Sequence, residues 1–321
     1  MLLRNSYPIS IIRTILHGPY FVLGCINIVF TQRVAQIIFK NSPLNFQAVV
    51  NLTKDNFINM LTFLSSVITP QQLHILYDKD ETDFNFSADL NGILHGNLLP
   101  NLLLILNHQI YTDWLNLWYL LSRSRFGNCV HIFLKDMLWI PILGSGMKTY
   151  NFFFLSRKWE KDKVLITNQL LEIDANARGY GPANGVKQVS RANVTGSKYV
   201  KWPSGNIPTI STSNSKVSPQ VWPYEIILFP EGTVPSRGAR ERSRKYCENK
   251  GIKPLENVLL PRVRGMFLTL RKLRKTVEYV YDISVGYSGL KKGENGEDIF
   301  TLKRFFLFGD GPKNVHFHIQ K

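Results

Sequence analysis

The stretch "LILNHQIYTDWLNLW", residues 104–118, holds the end of an apolar run, a short polar turn and the start of an aromatic run. The run "NLLLIL" follows Pro100 and shows no polar alternation, which predicts a buried strand. "WLNLWYLL" is apolar on nearly every side and predicts a helix, with Thr112 or Asp113 at the N-cap position. The stretch therefore predicts a strand, a turn and a helix in succession.

The turn in this unit carries His108 and, five positions later, Asp113. An imidazole titrates near neutral pH and can accept a proton from a weak nucleophile, and a nearby carboxylate can orient and stabilise it. On a uniform helix this spacing would place the two side chains about 140° apart, so they meet only if the backbone bends between them. The strand-to-helix turn offers that bend. The alternative is a surface histidine beside an unrelated helix-capping aspartate.

The rest of the chain alternates between strand-like and helix-like segments. The expected strands are "HIFL", "NFFFL", "EIILFP", "NVLLP", "YVYDISVGY" and "VHFHI". The expected helices are "FINMLTFLSSVI", "KWEKDKVLITNQLLEI" and "RGARERSRKYCENK", and "GSGM" is an expected glycine turn. Strands that alternate with helices predict the α/β class.

The segment 174–220 is rich in Gly, Ser, Asn, Thr and Pro and poor in large apolar residues, which predicts a long loop inserted into the domain. The expected organisation is an N-terminal membrane-associated helix over 1–40 and one domain over 41–321 that contains this loop. Cys25, Cys129 and Cys247 lie far apart without a C-x-x-C pair, so we expect reduced, structural cysteines.

The N-terminal segment from residue 10 to residue 39 is strongly apolar, but its charge-free part, 18–30, is shorter than the roughly 20 residues of a spanning helix. A longer helix must accommodate Arg13, His17 or Arg33. Three interpretations stay open: a short or tilted membrane helix, an interfacial amphipathic helix, and a signal peptide, including a lipoprotein type that ends at Cys25. Charge and Pro19 interrupt the signal-peptide pattern, so the sequence favours attachment to a membrane.

Three further motifs are each ambiguous alone. "FFFLSRK" places Arg157 after an apolar strand, where it can grip a phosphate or simply be solvated. In "LFPEGT", Gly232 allows close approach of a ligand and Thr233 offers a hydroxyl, while an ordinary turn would look the same. "NVLLPRVRG" is an apolar run closed by Pro261 and basic residues.

In this order, "NHQIYTDW", "FFFLSR", "LFPEGT" and "NVLLPRVRG" resemble the four sequence blocks of the glycerolipid acyltransferase family. The segments "LKDMLWIPILGSGM", "YDISVGY" and "GDGPKNVHFHI" further resemble the eukaryotic branch of lysocardiolipin, lysophosphatidylglycerol and lysophosphatidylinositol acyltransferases. Three departures are visible, one of which is the length of the 174–220 loop. Arg264 stands where the family often has Thr, and branch members usually continue beyond the region where this sequence ends, at Lys321.

The resemblance implies an α/β domain with a mixed sheet flanked by helices, and transfer of a fatty acyl group from acyl-CoA to a free hydroxyl of a lysophospholipid. By resemblance, His108 and Asp113 would be catalytic. Substrate binding would fall to the positions that match the other motif residues: Asn107, Arg157, Glu231, Gly232, Thr233 and Pro261. The implied partners are acyl-CoA, a lysophospholipid and a membrane, and the implied location is the endoplasmic reticulum. No metal and no bound cofactor would be needed.

The net charge of +16, from 39 Lys and Arg against 23 Asp and Glu, favours polyanionic ligands such as CoA phosphates, anionic lipids or nucleic acid. A nucleic-acid-binding protein is therefore one rival interpretation, with "RGARERSRKYCENK" as its footprint. The basic residues are dispersed and no nucleic-acid motif is visible, so we expect no such partner. The second rival is a catalytically inactive, membrane-binding relative of the acyltransferases.

Overall fold

The computed structural model describes residues 7–77, 85–90, 94–184, 189–192, 198–201 and 221–321. Its α-helices are α1 Tyr7–Ile38, α2 Pro43–Ile68, α3 Asp113–Arg123, α4 Leu143–Thr149, α5 Trp159–Ala177, α6 Arg237–Lys250, α7 Val263–Leu273 and α8 Gly296–Ile299. Its strands are β1 Gln72–Tyr77, β2 Asn85–Ala88, β3 Leu94–Asn97, β4 Leu102–Leu106, β5 Val130–Lys135, β6 Phe153–Leu155, β7 Val189–Ala192, β8 Lys198–Lys201, β9 Glu225–Leu228, β10 Tyr279–Tyr287 and β11 Asn314–Gln320. Single turns of tighter or wider helix lie at Gly127–Cys129, Pro182–Asn184 and Arg304–Phe308.

A seven-stranded mixed sheet forms the centre of the fold, in the order β1-β11-β10-β4-β9-β5-β6. The five strands from β10 to β6 are parallel, whereas β11 runs antiparallel to β10 and parallel to β1. Two separate hairpins, β2-β3 and β7-β8, lie outside this sheet. The expectation of an α/β domain with a mixed sheet is confirmed.

The two central parallel strands, β4 and β9, are buried on both faces, which explains why their sequences lack polar alternation. On β4, the side chains of Leu102 and Leu104 join the core formed with α2 and α3, while Leu103 joins the core formed with α5 and α7. Trp118 of α3 is fully buried, and its indole N–H donates to the carbonyl of Gly127 at 2.7 Å. The strand-turn-helix unit is thus anchored on both sides of the sheet.

The N-terminal helix α1 continues through Pro19 and packs along α2. Its segment Pro8–Ile38 is long and apolar enough to cross a membrane, with a mean hydropathy of 1.6 over an 18-residue window of which 22% is buried against the rest of the protein. Large apolar side chains on the remaining surface are exposed, among them Ile15, Leu23 and Phe30. A helix with this outer face is suited to contact with lipid.

Most of the expected elements form, and the three cysteines are buried and free, as expected. Two local expectations are wrong. "NVLLP" is not a strand, because its N–H groups donate to side chains: Leu259 to the Glu231 carboxylate and Leu260 to the Ser243 hydroxyl. "GSGM" forms part of α4 instead of a turn, because the N–H groups of Gly144 and Gly146 donate to the carbonyls four positions earlier, those of Ile140 and Ile142.

The boundary of the expected loop at 174 also falls inside a helix, because α5 continues to Ala177. Asp174 is buried there and accepts a hydrogen bond from Arg178 at 2.5 Å. Of the expected loop, residues 185–188, 193–197 and 202–220 lie outside the described residues, and the strands β7 and β8 lie between them.

Candidate active site

Except for Pro261, the predicted site residues follow strands that end at one edge of the sheet. Because β4, β9, β5 and β6 are parallel neighbours, the segments after their carboxyl ends share this edge. His108 follows β4, the "FPEGT" segment follows β9, and Arg157 follows β6. Ligands of open α/β sheets bind at such an edge. The fold therefore gathers motifs that are more than a hundred residues apart in sequence.

His108 and Asp113 form a hydrogen-bonded pair. The imidazole Nδ1 lies 2.7 Å from Asp113 Oδ2, with the His108 side chain 18% exposed and that of Asp113 fully buried. Since a carboxylate only accepts, Nδ1 carries the proton and Nε2 is left as the basic nitrogen. The backbone bends between the two residues, as their meeting requires. The arrangement suits a general base with an orienting acid.

Three further donors surround the Asp113 carboxylate. Oδ2 also accepts the backbone N–H of Gln109 at 2.6 Å and that of Ile110 at 3.1 Å. Oδ1 accepts the phenol hydroxyl of Tyr287 from the end of β10. Asp113 thus caps the turn that carries His108, whereas Thr112 takes the N-cap position without a side-chain cap. The donors hold the carboxylate in the acceptor role that the imidazole needs.

Tyr287 is a site residue that the motif analysis missed. Burial and the neighbouring charge of Asp113 raise its pKa well above the ordinary value, while the adjacent Asn116 amide opposes that rise. The phenol therefore stays protonated and donates to Asp113. The only sequence signal for Tyr287 is the alternation of apolar and polar residues in "YVYDISVGY", which matches the alternation of buried and exposed side chains along β10. That alternation shows that the side chain points inward but does not reveal its partner.

Glu231 links the first, third and fourth motifs. Its Oε1 accepts the backbone N–H of His108 at 2.8 Å, and its Oε2 accepts the backbone N–H of Leu259 at 2.8 Å. Burial raises the pKa of the Glu231 carboxyl, and these two N–H groups oppose the rise. The carboxylate is thus held by the protein's own backbone.

Asn107 joins the end of β4 to β10. Its side-chain amide donates to the carbonyl of Val285 at 3.0 Å and accepts the N–H of Val285 at 2.6 Å. This pair of bonds continues the ladder beyond the last regular pair of the two strands, Leu106 with Ile283. The residue before His108 is therefore fixed against the strand that carries Tyr287.

The "FPEGT" turn packs against the imidazole. The ring of Phe229 stacks on His108 with ring centroids 4.4 Å apart. Gly232 has φ of +72°, a conformation that L side chains rarely adopt, and an added Cβ would lie 3.6 Å from the side chain of Arg262. The Arg262 N–H donates to the carbonyl of Pro230 at 2.8 Å, which joins this turn to the fourth motif. Phe229 and Arg262 were not predicted as site residues.

Arg157, Thr233 and Pro261 lie on the rim of the edge. Arg157 is exposed with φ of +64°, in a turn fixed by Asp162, which accepts from the Ser156 N–H at 2.9 Å and the Ser156 hydroxyl at 2.7 Å. Thr233 is half-buried beside Gly232, and Pro261 is exposed. Between β4 and β6 there are three strand spacings, about 14 Å in all. Among the described residues, no hydrogen bond joins Arg157 to the dyad. Burial raises the pKa of Tyr111, which lies between His108 and Asp113 in the sequence, and the positive charge of Arg157 opposes this rise.

In the part of the chain that the structure describes, no group of three histidine, cysteine or acidic side chains is arranged to hold a metal ion. The two carboxylates of the edge are instead engaged by the protein itself, Asp113 by His108 and backbone N–H groups and Glu231 by backbone N–H groups. The arrangement offers one basic nitrogen, on His108, beside an exposed arginine-bearing rim.

Comparisons with known proteins agree with this arrangement. A 2-acyl-1-lysophosphatidylinositol acyltransferase of Saccharomyces cerevisiae is 40% identical over 303 residues, which cover 94% of this chain and 74% of the relative. Lysophosphatidylinositol acyltransferase 10 of Caenorhabditis elegans is 29% identical over a region that covers 68% of this chain and 44% of the relative. Lysocardiolipin acyltransferase 1 of Mus musculus is 26% identical over 68% of this chain and 45% of its own. No solved structure matches the chain.

The family model described as Acyltransferase matches residues 94–288, more than half of the chain. The matched segment begins at β3 and ends just beyond β10, so it contains both members of the dyad, Tyr287 and all four motifs. This agrees with the resemblance seen in the motifs. The chain belongs to the acyltransferase family.

Proposed function

We propose that the protein transfers a fatty acyl group from acyl-CoA to the free hydroxyl of a lysophospholipid, and that its acceptor is a 2-acyl-lysophosphatidylinositol. The observation that carries the reaction type is the hydrogen-bonded pair of His108 and buried Asp113 at the edge of the sheet. The acceptor is suggested by the yeast relative, which is similar over 94% of this chain.

In the proposed reaction, Nε2 of His108 takes the proton of the acceptor hydroxyl as its oxygen attacks the thioester carbonyl carbon. Asp113 keeps Nδ1 protonated and stabilises the imidazolium that forms. The tetrahedral intermediate then breaks its carbon–sulfur bond, and the CoA sulfur leaves with the proton held by His108. The acyl ester and free CoA are the products, and the imidazole returns to its starting form.

The remaining motif residues have two proposed roles. Arg157, Gly232, Thr233 and Pro261 form the rim, where arginine and backbone N–H groups suit the phosphate of the acceptor. We assign Asn107 and Glu231 to positioning, because the hydrogen bonds of both side chains go to backbone groups of Val285, His108 and Leu259. Arg262 joins the rim group, since its side chain lies beside Gly232.

Acyl-CoA is the proposed co-substrate, with no bound metal or cofactor. The lipid acceptor and the exposed apolar face of α1 both support a location at a membrane, and we propose the endoplasmic reticulum. The net charge of +16 suits the phosphates of CoA and an anionic headgroup.

The test compares membranes that contain the wild-type chain, His108→Ala or His316→Ala, where His316 is an exposed histidine on β11. Each receives radiolabelled oleoyl-CoA with lysophosphatidylinositol, lysophosphatidate, lysophosphatidylglycerol or lysocardiolipin. We expect wild type and His316→Ala to acylate lysophosphatidylinositol and His108→Ala to lose at least about a hundredfold in rate. Activity on a different acceptor would overturn the headgroup assignment. Silence of a folded, membrane-bound wild type would instead favour an inactive relative.

A further inference from the structure

An exposed apolar tip follows β5 at the catalytic edge of the sheet. Residues 138–142, here called the Trp139 tip, present Leu138 and Ile142 at 39% exposure each and Trp139 at 78%. An indole this exposed is unusual for a soluble surface, whereas tryptophan is favoured where an apolar layer meets water. The exposed indole therefore fits a partner that offers an apolar environment to the ring and polar groups to its N–H.

The tip is held in place by its own backbone and by α4. Leu138 N–H donates to the Asp136 carboxylate at 2.9 Å, and the Gly144 N–H donates to the Ile140 carbonyl at 2.9 Å. A Cβ at Gly144 would lie 2.6 Å from the Leu138 carbonyl oxygen, so only glycine lets the tip fold this closely onto α4. The exposed apolar side chains thus project from a compact turn.

The same unit is fastened to α1. A Cβ at Gly146 of α4 would lie 3.2 Å from the Val29 side chain, and Arg33 donates to the Ser145 hydroxyl at 2.9 Å. On this half of α1, Ile26, Phe30 and Ile37 are exposed. The apolar face of α1 and the Trp139 tip are therefore packed into one unit.

The charges around the tip indicate the kind of partner. Arg33, Lys135 and Lys148 are exposed and basic, and Asp136 is the acidic group of the tip's base. Apolar side chains rimmed by cations match the layered chemistry of an anionic bilayer, with acyl chains beneath phosphate groups. A protein partner would not need this match with the apolar face of α1.

We propose that the Trp139 tip inserts into the interfacial layer of an anionic bilayer beside α1 and holds the catalytic edge of the sheet against the lipid surface. β5 leads directly from the sheet edge into the tip, so insertion brings that edge to the layer in which a lysophospholipid hydroxyl lies. The acceptor then reaches His108 without leaving the membrane. This role rests on the proposed function only for the identity of the acceptor.

The first arm of the test measures insertion without measuring activity. Wild type and Trp139→Phe are reconstituted in vesicles of phosphatidylcholine and phosphatidylinositol. The phosphatidylcholine is brominated either near the headgroup or near the chain end. The fluorescence of wild type minus that of Trp139→Phe gives the emission of Trp139 alone. We expect the bromine near the headgroup to quench this emission. Unquenched emission in both lipids would overturn the insertion.

The second arm measures acyl transfer by Trp139→Ser, with Tyr246→Ser as a control for the loss of an exposed aromatic side chain on α6. We expect the KM for a bilayer-embedded lysophospholipid to rise about tenfold in Trp139→Ser, while kcat/KM for a short-chain, water-soluble acceptor stays within about twofold. Equal losses on both acceptors would refute the membrane role. If wild type shows no activity, the proposed function fails, and the quenching arm still decides whether the tip inserts.

Discussion

Oε1 of Glu231 accepts the backbone N–H of His108 at 2.8 Å, across 123 positions of sequence. The second oxygen accepts the N–H of Leu259 at 2.8 Å. One buried carboxylate therefore fixes the backbone of the proposed base and the segment before Pro261. Both oxygens of Glu231 therefore accept hydrogen bonds from N–H groups of the protein itself.

Glu231→Gln should lower both activity and stability. The amide keeps one acceptor oxygen, so one of the two backbone N–H groups faces an NH₂ group instead. An unsatisfied buried donor costs about 1–3 kcal/mol. We expect kcat to fall by roughly ten- to a hundredfold and the midpoint of thermal unfolding in detergent to decrease. Glu256→Gln, at an exposed position of the same segment, is the control and should behave as wild type. A fully active Glu231→Gln would refute this positioning role.

Tyr287→Phe should weaken catalysis through Asp113. The change removes the hydroxyl that donates to Asp113 Oδ1, so this buried oxygen loses a hydrogen bond. We expect kcat to fall about tenfold with little change in either KM, since a hydrogen bond to a charged group contributes about 1.5–3 kcal/mol.

A double-mutant cycle with Asp113→Asn separates this effect from loss of packing. If Tyr287 acts through the Asp113 carboxylate, Tyr287→Phe should cost much less in the Asp113→Asn background than in wild type. An equal cost in the two backgrounds would show that the phenol contributes only to packing. The residual rates are measurable with radiolabelled acyl-CoA.

Glu225 should make the protein less stable as the pH rises. It is fully buried on β9, and its carboxylate oxygens have no hydrogen-bond partner among the described residues. Burial, and next the charge of Glu278, raise its pKa well above the ordinary value of 4.5. Above that value the unfolded chain releases the proton and the folded chain keeps it. The free energy of unfolding then falls by about 1.4 kcal/mol per pH unit until the folded pKa is reached.

Glu225→Gln removes this titration and keeps the shape of the side chain. We expect its midpoint of thermal unfolding to exceed that of wild type by a margin that grows as the pH rises above the ordinary pKa value of 4.5. Glu241→Gln, at an exposed position on α6, should show no such trend. A constant difference between Glu225→Gln and wild type as the pH rises would mean that Glu225 ionises normally in the folded protein.

Gly232→Ala and Gly265→Ala form a matched pair. An alanine at position 232 must keep the backbone φ of +72°, and its Cβ would contact the Arg262 side chain. A Cβ at Gly265, within α7, would meet nothing within 4 Å. The first change should destabilise the protein by about 1–2 kcal/mol, and the second should stabilise it by up to about 1 kcal/mol. Chemical denaturation in detergent measures both. Equal effects would contradict the strain at Gly232.

Local patterns in the sequence predicted most of the elements and the core of the site. The apolar run of β4 and the aromatic face of α3 identified the strand and helix that flank His108. The five-residue spacing to Asp113 required a bend, and that bend forms. The error at "NVLLP" has a physical cause, because its N–H groups were assigned to a ladder but donate to Glu231 and Ser243.

The sequence by itself determined most of the elements, the candidate dyad and the family, because these depend on spacings of a few residues and on short motifs. Only the tertiary structure decided which distant groups complete the site. The order β10-β4-β9 places Tyr287 and Glu231 on either side of His108, although they are far from it and from each other in the chain. Hydrogen-bond partners at such separations are set by which strands lie side by side, and no local pattern encodes that order.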